Sequence, residues 1–373
     1  MEQYDVLVVG GGIAGSVAAR FSAEYGFKTL LIERLKTPRN KPCSGIQFTY
    51  LEKLLGEKIP REKLCNNELL NVEMITPDDR VLRGRMRMLN FWRSTLDSWL
   101  NSLAINYGAD FHDETRLVDF QEDEKWTTCR VSDKNGEKEI RARYFIVADG
   151  LFSRIRRKLR PQDFEKKAYG AAINYYFVGE TNLNPNTLYM FHKREFAPLM
   201  FAWVYLKDEQ WVIGTGADRE PLKYAERFLS YVKERYDLRG DIVRKEGFAS
   251  PLKGGVYLGQ GNLLITGDAA GLIDLYRGLG MDNAALSGRL AVKAIIESEK
   301  TGKPAIEAYQ HFMKGITRKV ERNTAKQATR YATNETLERA FSPSNLLKSG
   351  LLMQIAAQIN RVLPAERTIT LPL

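Results

Sequence analysis

The chain has 373 residues, of which 44% are hydrophobic and 27% charged, a composition typical of a globular protein of one or two domains. No apolar run reaches the roughly 18 residues that span a membrane, and no signal-peptide pattern precedes the first predicted strand, so we expect a cytoplasmic protein. The net charge of +10 suits an anionic substrate or membrane surface, and because no DNA- or RNA-binding motif accompanies it, we expect no nucleic-acid partner.

The first predicted unit is a strand, a glycine turn, a helix and a second strand. A β run over Tyr4–Val9 leads into Gly-Gly-Gly-Ile-Ala-Gly at 10–15. A helix is predicted over 16–25, and a second β run over 29–32 ends at Glu33. This is the order of elements in a βαβ unit that binds a dinucleotide.

The spacing within this unit predicts a dinucleotide site. Gly10, Gly12 and Gly15 fit G-x-G-x-x-G, whose glycines allow a tight turn, close approach of a pyrophosphate and close packing of the helix. Glu33 follows Gly10 by 33 − 10 = 23 positions, close to the spacing of about 20 expected for the acid that binds a ribose diol. An acid at this point favours FAD or NAD over NADP.

The next elements are a loop, a helix and a β hairpin. Two prolines and a glycine predict a loop over 38–48, and an amphipathic pattern predicts a helix over 90–107. Short β runs follow at 115–121 and 126–132, and Asn135-Gly136 predicts a tight turn.

A change of pattern marks the middle of the chain. A buried strand over 144–147 ends at Asp149-Gly150, and alternating aromatic β runs then predict an antiparallel sheet inserted into the α/β domain. These β runs cover 169–178, 187–192, 199–206 and 210–216, and a helix is predicted over 221–236.

The chain then returns to the first domain. A strand over 262–266 ends in Gly-Asp-Ala-Ala-Gly at 267–271, and a glycine-rich loop over 277–281 opens a helix over 282–299. The remainder is predicted to be helical and basic. The predicted domains are a discontinuous FAD-binding domain (1–75, 90–165 and 250–303), an antiparallel sheet substrate domain (76–89 and 166–249) and a C-terminal helical region (304–373).

Three strand-to-turn motifs, at 10–15, 149–150 and 267–268, resemble those of the FAD-dependent fold shared by aromatic hydroxylases and geranylgeranyl reductases. Three further segments are similar to motifs of the geranylgeranyl reductase family. They are Lys-Pro-Cys-Ser-Gly at 41–45 (K-P-C-G-G), Arg-Ser-Thr-Leu-Asp-Ser-Trp-Leu at 93–100 (R-x-x-F-D-x-x-L) and Phe-Ala-Trp-Val-Tyr-Leu at 201–206 (Y-A-W-x-F-P). The chain departs from the family where Asp274-Leu275-Tyr276-Arg277 replaces a proline-containing approach to the glycine loop.

The resemblance implies α/β architecture, a Rossmann-like FAD-binding domain with the inserted sheet, and a set of FAD contacts. Trp203 and Tyr205 are expected to line a substrate pocket, no metal is expected, and no catalytic residue is identified. The expected FAD contacts are Gly10, Gly12, Ala14, Gly15, Glu33, Arg34, Cys43, Ser44, Gly45, Arg93, Val118, Asp149, Gly150, Gly267, Asp268, Gly278, Gly280 and Met281.

Three functions fit this pattern. The first is FAD-dependent reduction of carbon–carbon double bonds in an isoprenoid or similar apolar substrate. The second is a monooxygenase that hydroxylates an aromatic or apolar small molecule, and the third is a non-catalytic protein that binds flavin and lipid. The electron donor stays open between NAD(P)H and a ferredoxin-like protein, because no second G-x-G-x-x-G unit is visible.

The C-terminal region suggests contact with a membrane surface. Lys314, Arg318, Arg322, Lys326 and Arg330 recur every fourth position and form a basic stripe on a helix. Such a stripe is either a solvated face or a surface for anionic lipid headgroups, into which the apolar segment 351–357 could dip.

Overall fold

The computed structural model describes residues 2–123, 125–165, 169–251 and 255–368, and its elements are numbered in chain order. The strands are β1 (Glu2–Val9), β2 (Thr29–Ile32), β3 (Ile46–Phe48), β4 (Leu69–Ile75), β5 (Val81–Asn90), β6 (Asp110–His112), β7 (Arg116–Glu122), β8 (Thr127–Asp133), β9 (Gly136–Val147), β10 (Tyr169–Glu180), β11 (Thr187–Phe191), β12 (Ala202–Lys207), β13 (Gln210–Ala217), β14 (Arg239–Pro251), β15 (Gly259–Gln260) and β16 (Leu263–Ile265). The helices are α1 (Ile13–Glu24), α2 (Tyr50–Leu55), α3 (Arg93–Asn106), α4 (Arg154–Leu159), α5 (Pro221–Arg235), α6 (Met281–Thr301), α7 (Ala305–Arg330), α8 (Asn334–Ala340) and α9 (Pro343–Val362).

The first sheet has the parallel centre that the sequence predicts. Its order is β15-β16-β9-β1-β2-β6, and the β7–β8 hairpin is joined to β9. Strands β16, β9, β1, β2 and β6 run parallel, whereas β15 is antiparallel. Helix α1 packs against both α3 and α6, so the central strands are buried, which explains their continuous apolar sequences. The carboxyl ends of β1, β2, β9 and β16 meet at one edge, where open α/β sheets bind ligands.

The second sheet is mixed rather than antiparallel throughout. Its order is β14-β10-β13-β12-β11-β4-β5-β3, and β4 pairs with β11 in parallel register, whereas the other neighbours are antiparallel. The strands that the sequence predicts for this sheet pair antiparallel with one another. The parallel pair adds β4, which comes from a distant segment and aligns with β11 only in the folded chain.

The predicted domain boundary at residue 75 does not coincide with the change from the first sheet to the second. The sequence predicts that residues 1–75 belong to the FAD-binding domain, whereas β3 and β4 hydrogen-bond within the second sheet through β5. The chain therefore crosses to the second sheet at about Ile46 rather than at residue 76. The domain boundaries stay predictions, and residues 1, 124, 166–168, 252–254 and 369–373 of the predicted domains lie outside the described residues.

The second sheet has two different faces. Helix α5 covers one face, where Phe191, Phe228 and Val232 form a closed core. The opposite face carries Trp203 and Tyr205, which line a cavity that also borders the end of β1 in the first sheet. Because successive residues of a strand point to opposite faces, neighbouring residues of β12 pack in different hydrophobic cores.

The C-terminal helices α7, α8 and α9 follow α6, as the prediction of a helical region requires. Within the described ranges, no helix combines the length and apolar character that crossing a bilayer demands. Strand β14, helix α2 and the pairing of β3 to β5 were not predicted from the sequence.

Candidate functional site

The glycine turn after β1 is shaped by two close backbone contacts. Gly10 has φ +111°, and a β-carbon there would collide with the carbonyl oxygen of Ala148 at the end of β9. A β-carbon at Gly15 would collide with the carbonyl oxygen of Gly10, so helix α1 lies directly against the turn. These contacts bring the amino end of α1 to the edge of the sheet, where its free N–H groups favour an anion.

Two guanidinium groups lie above the turn. A β-carbon at Gly12 would lie 3.3 Å from Nη2 of Arg39 and 4.0 Å from Nη2 of Arg93. Arg93 donates to both oxygens of Asp97, at 2.8 Å and 2.9 Å, and Arg39 lies 3.3 Å from the same carboxylate. We call the space between the backbone of Gly12 and the guanidinium groups of Arg39 and Arg93 the cradle. A substituent on Gly12 would fill the space that a pyrophosphate needs there, so the cradle fits a dinucleotide.

Glu33 lies beside this cradle with its carboxylate fixed. Oε2 accepts a hydrogen bond from the backbone of Gly11 at 2.9 Å, and Oε1 accepts one from the backbone of Leu35 at 3.0 Å. Nε of Arg39 lies 3.1 Å from Oε2. The exposed Arg34 lines the same cavity. This arrangement fits the adenosine end of FAD, where the acid would meet the ribose hydroxyls.

Three loops meet at the other end of the cradle. Nζ of Lys41 lies 3.1 Å from Oδ2 of Asp268, and the sulfur atoms of Cys43 and Met281 are 4.0 Å apart. Gly280 adjoins Asp268, because a β-carbon there would lie 3.5 Å from Oδ1. Residues that the sequence places in separate motifs therefore surround one compartment.

Asp149 has one oxygen with no hydrogen-bond partner among the described residues. Oδ2 accepts a hydrogen bond from the backbone of Arg154 at 2.9 Å, whereas the buried Oδ1 accepts none. Burial raises the pKa of Asp149, which its hydrogen bonds only partly offset. A ligand hydroxyl or amide would supply the missing donor. Gly150, with φ +84°, turns the chain away from this position.

Most of the predicted contacts line one cavity of about 770 Å³. Four predicted residues do not line it, namely Gly15, Gly45, Val118 and Gly267. Gly45 and Gly267 adopt positive φ angles of +61° and +57° and shape the loops behind the cavity. Val118 lies in a bulge of the β7–β8 ladder, and Thr115, Arg116 and Leu117 line the cavity instead. The roles of all these residues towards FAD stay predictions.

The cavity continues into an apolar compartment against the second sheet. Trp203 and Tyr205 line it together with Met200, Phe201 and Phe248. The indole N–H of Trp203 donates to Oδ1 of Asn174 at 3.0 Å, which ties the ring to strand β10. The aromatic residues Tyr189, Phe191 and Trp211 of the same sheet belong instead to the core beneath α5.

A buried lysine that the sequence analysis missed supports the loop 41–45. Lys207 is 1% exposed, and its Nζ donates to the carbonyl oxygens of Ser44 at 2.6 Å and Phe91 at 2.8 Å. Tyr205 also donates to Ser44, at 3.3 Å. Burial lowers the pKa of Lys207 to about 8. The sequence indicates this role of Lys207 only weakly, through a lysine at the end of an otherwise apolar strand.

A second buried cation holds the glycine loop that opens α6. Arg277 donates to Asp274 at 2.6 Å and to Asp282 at 2.7 Å, and all three side chains are fully buried. Asn323 of α7 donates to Asp274, and the Tyr50 hydroxyl donates to Asp282, each at 2.7 Å. Burial would raise the pKa of Asp282, but Arg277 outweighs it and holds that pKa below its usual range.

Comparisons with known proteins agree with this geometry. A model of the FAD binding domain family matches residues 3–324. Digeranylgeranylglycerophospholipid reductase from Thermoplasma volcanium is 29% identical over 367 residues, with 91% of each chain covered.

Two solved structures share the fold. A geranylgeranyl bacteriochlorophyll reductase-like protein from Thermoplasma acidophilum has a TM-score of 0.79 at 23% identity, covering 93% of this chain and 96% of that one. Aklavinone-11 hydroxylase, in complex with FAD and aklavinone, has a TM-score of 0.64 at 18% identity, covering 83% of this chain and 65% of that one. Together with the reductase relative, they confirm the predicted FAD-binding fold and the resemblance to geranylgeranyl reductases.

Proposed function

Because this chain belongs to the FAD binding domain family, we propose that it is an FAD-dependent oxidoreductase that reduces carbon–carbon double bonds of an isoprenoid lipid or a similar apolar substrate. The observation that carries this proposal is the continuity of one cavity, which joins the cradle of Gly12 and Arg93 to the apolar compartment of Phe201 and Trp203. The reductase relative, whose name specifies a digeranylgeranylglycerophospholipid, supports the same substrate class.

The chain's own residues have distinct tasks in this proposal. Bound FAD supplies the two-electron carrier that can pass a hydride to a double bond. Arg39 and Arg93 would hold the pyrophosphate, Glu33 the ribose, and Asp268 the polyol between the two ends. The apolar compartment orients the substrate and excludes water from the place of hydride transfer.

The amino end of α6 would stabilise reduced flavin. Gly280 is the residue before this helix and Met281 is its first residue, and the early N–H groups of a helix lack partners within it. We place the pyrimidine side of the flavin here, where the N–H groups and the helix dipole favour the negative charge of the reduced ring.

The experiment that tests the function is anaerobic. The purified holoprotein is reduced chemically and mixed with geranylgeranyl-bearing lipids while flavin absorbance and product mass are followed. Reoxidation of the flavin with a gain of two hydrogens per reduced double bond is the expected result. Reduced flavin that persists under nitrogen with every lipid tested contradicts the reductase proposal.

A monooxygenase is the second candidate, because the hydroxylase neighbour shares the fold. Its outcome in the same experiment differs: turnover would begin only when air is admitted, and the product would be heavier by one oxygen atom. A protein that binds FAD and lipid yet turns over in neither condition would support the non-catalytic alternative.

The electron donor and the cellular location belong to the proposal as well. NAD(P)H would have to bind transiently, whereas a ferredoxin-like protein could dock on the basic surface near Arg34, Arg116 and Arg154 at the cavity. Stopped-flow reduction with each donor separates the two. We place the protein in the cytoplasm, in peripheral contact with a membrane that holds its substrate.

A further inference from the structure

Helix α9 presents an apolar face that no other described part of the chain covers. Leu347, Leu351, Ile355 and Ile359 recur every fourth residue and therefore lie along one side of the helix. Their exposed fractions are 78%, 58%, 46% and 39%, and the nearby Leu352 and Val362 are also exposed. Soluble monomers rarely leave a continuous apolar face of this kind in water, so it indicates an interaction surface.

The charges of α9 indicate the partner. Residues 343–362 contain no aspartate or glutamate, and Lys348 and Arg361 lie towards the two ends of the helix. In a two-fold dimer built on this face, the other copy of α9 would offer these cations no acid to pair with. An anionic bilayer instead offers apolar chains to the leucines and negative headgroups to the cations.

The opposite side of α9 anchors it beside the cavity. Ala356 packs against Phe48 and Leu279, and Leu279 lines the apolar end of the cavity. Nζ of Lys53, on α2, donates to the carbonyl oxygen of Asn360 at 2.6 Å and also to that of Leu363. This lysine satisfies carbonyl groups at the end of α9 that the helix itself leaves free.

We propose that α9 is a docking surface for an anionic phospholipid bilayer, lying in the interface with Leu351 and Ile355 among the acyl chains. The apolar end of the cavity then lies next to the membrane through Leu279, so a lipid substrate can enter without crossing water. The choice of a lipid partner for this face rests on the proposed function. In α7, Lys314, Arg318, Arg322 and Lys326 are exposed and add to the positive surface, whereas Arg330 is half-buried against the rings of Tyr276 and Phe341.

The test compares two double variants of the full-length holoprotein. Leu351→Glu with Ile355→Glu places two acids on the apolar face, and Gln354→Glu with Ala357→Glu places two acids at other exposed positions of the same helix. Binding is measured by flotation with phosphatidylcholine vesicles, alone or mixed with phosphatidylglycerol. We expect the unchanged protein to float only with the anionic vesicles. Partitioning of the first variant should fall about 100-fold, and the fall for the second variant should be several-fold smaller.

The flavin spectrum and turnover of a short, water-soluble isoprenoid should be the same in all three proteins, which separates docking from folding and catalysis. Equal vesicle binding by the two variants, or no binding by the unchanged protein, would overturn the proposal. A dimer of the unchanged protein that only the first variant loses would identify a second copy as the occupant instead. Vesicle binding without reduction of any lipid would leave docking in place and remove the proposed function.

Discussion

Asn323 of α7 donates a hydrogen bond to the buried carboxylate of Asp274, 49 residues earlier in the chain and 2.7 Å away. Asp274 begins the short hairpin that ends at Leu279, because the two residues exchange backbone hydrogen bonds of 2.9 Å and 3.2 Å. Helix α7 is thus tied to the loop that would face the flavin. The proline-containing approach of the family is replaced by a loop held through buried charge.

Replacing Asn323 by leucine should loosen this loop. The substitution removes a donor from a buried carboxylate and should cost about 1–3 kcal/mol of stability. We expect FAD to dissociate faster as well, because the loop is adjacent to the proposed flavin position. Urea unfolding and the recovery of free-flavin fluorescence measure the two effects. Glu321→Leu, at an exposed position two residues away, should leave both unchanged. Equal FAD release rates in both variants would mean that the loop does not affect the binding of FAD.

Arg39 is expected to bind the cofactor even though it lies outside every motif identified in the sequence. Arg39→Met removes one of the two guanidinium groups beside Gly12, and we expect FAD affinity to fall about 10- to 100-fold, the value of a charged hydrogen bond. Titration of the apoprotein with FAD measures this affinity. The matched control is Lys36→Met, an exposed position in the same loop that does not line the cavity. An unchanged dissociation constant for Arg39→Met would assign the pyrophosphate to another position.

The cradle shows what the sequence could predict and what it could not. Gly10 and Glu33 act through local geometry, since a turn and the end of the next strand fix their positions, and both were found by spacing alone. Arg39 and Asn323 meet Asp97 and Asp274 only through folding, because these two acids lie 58 and 49 positions away (97 − 39 and 323 − 274). The parallel pairing of β4 with β11 is non-local in the same way, and no periodicity within either strand encodes it.

Lys207 should make stability depend on pH in a defined direction. Its pKa in the folded chain is about 8, below the ordinary value of 10.5, so between these values the unfolded chain binds more protons and stability rises with pH. Relative to Lys207→Met, the unchanged protein should gain about 2 kcal/mol between pH 7 and about pH 9.5. Urea unfolding of both proteins at several pH values gives this difference, in which shared titrations cancel. A constant difference across the range would mean that Lys207 keeps an ordinary pKa.

The amino end of α6 should set the reduction potential of bound FAD. Met281→Pro removes one backbone N–H at the first helical position, where proline is sterically tolerated. Losing a hydrogen bond to the anionic reduced flavin should lower the two-electron potential by about 30–60 mV. Dye-coupled anaerobic titration measures it, with Met281→Leu as the control that retains the N–H. A potential equal in both variants would move the flavin's pyrimidine side away from this helix.

Trp203 and Trp211 provide a matched pair for locating the substrate. Both are buried tryptophans on adjacent strands of the second sheet, but Trp203 lines the cavity and Trp211 packs in the core with Phe177 and Phe191. Each Trp→Leu change should lower stability by about 1–3 kcal/mol, because each leaves a partly filled space. Only Trp203→Leu should raise KM for a water-soluble isoprenoid, by about 10-fold, since the value of apolar pocket contacts is of this order. Steady-state kinetics at a temperature where both variants are folded gives the comparison. A similar rise in KM for both would mean that the loss of stability of the sheet, rather than a lost contact with the substrate, raises KM. A rise for Trp211→Leu alone would place the substrate on the α5 face.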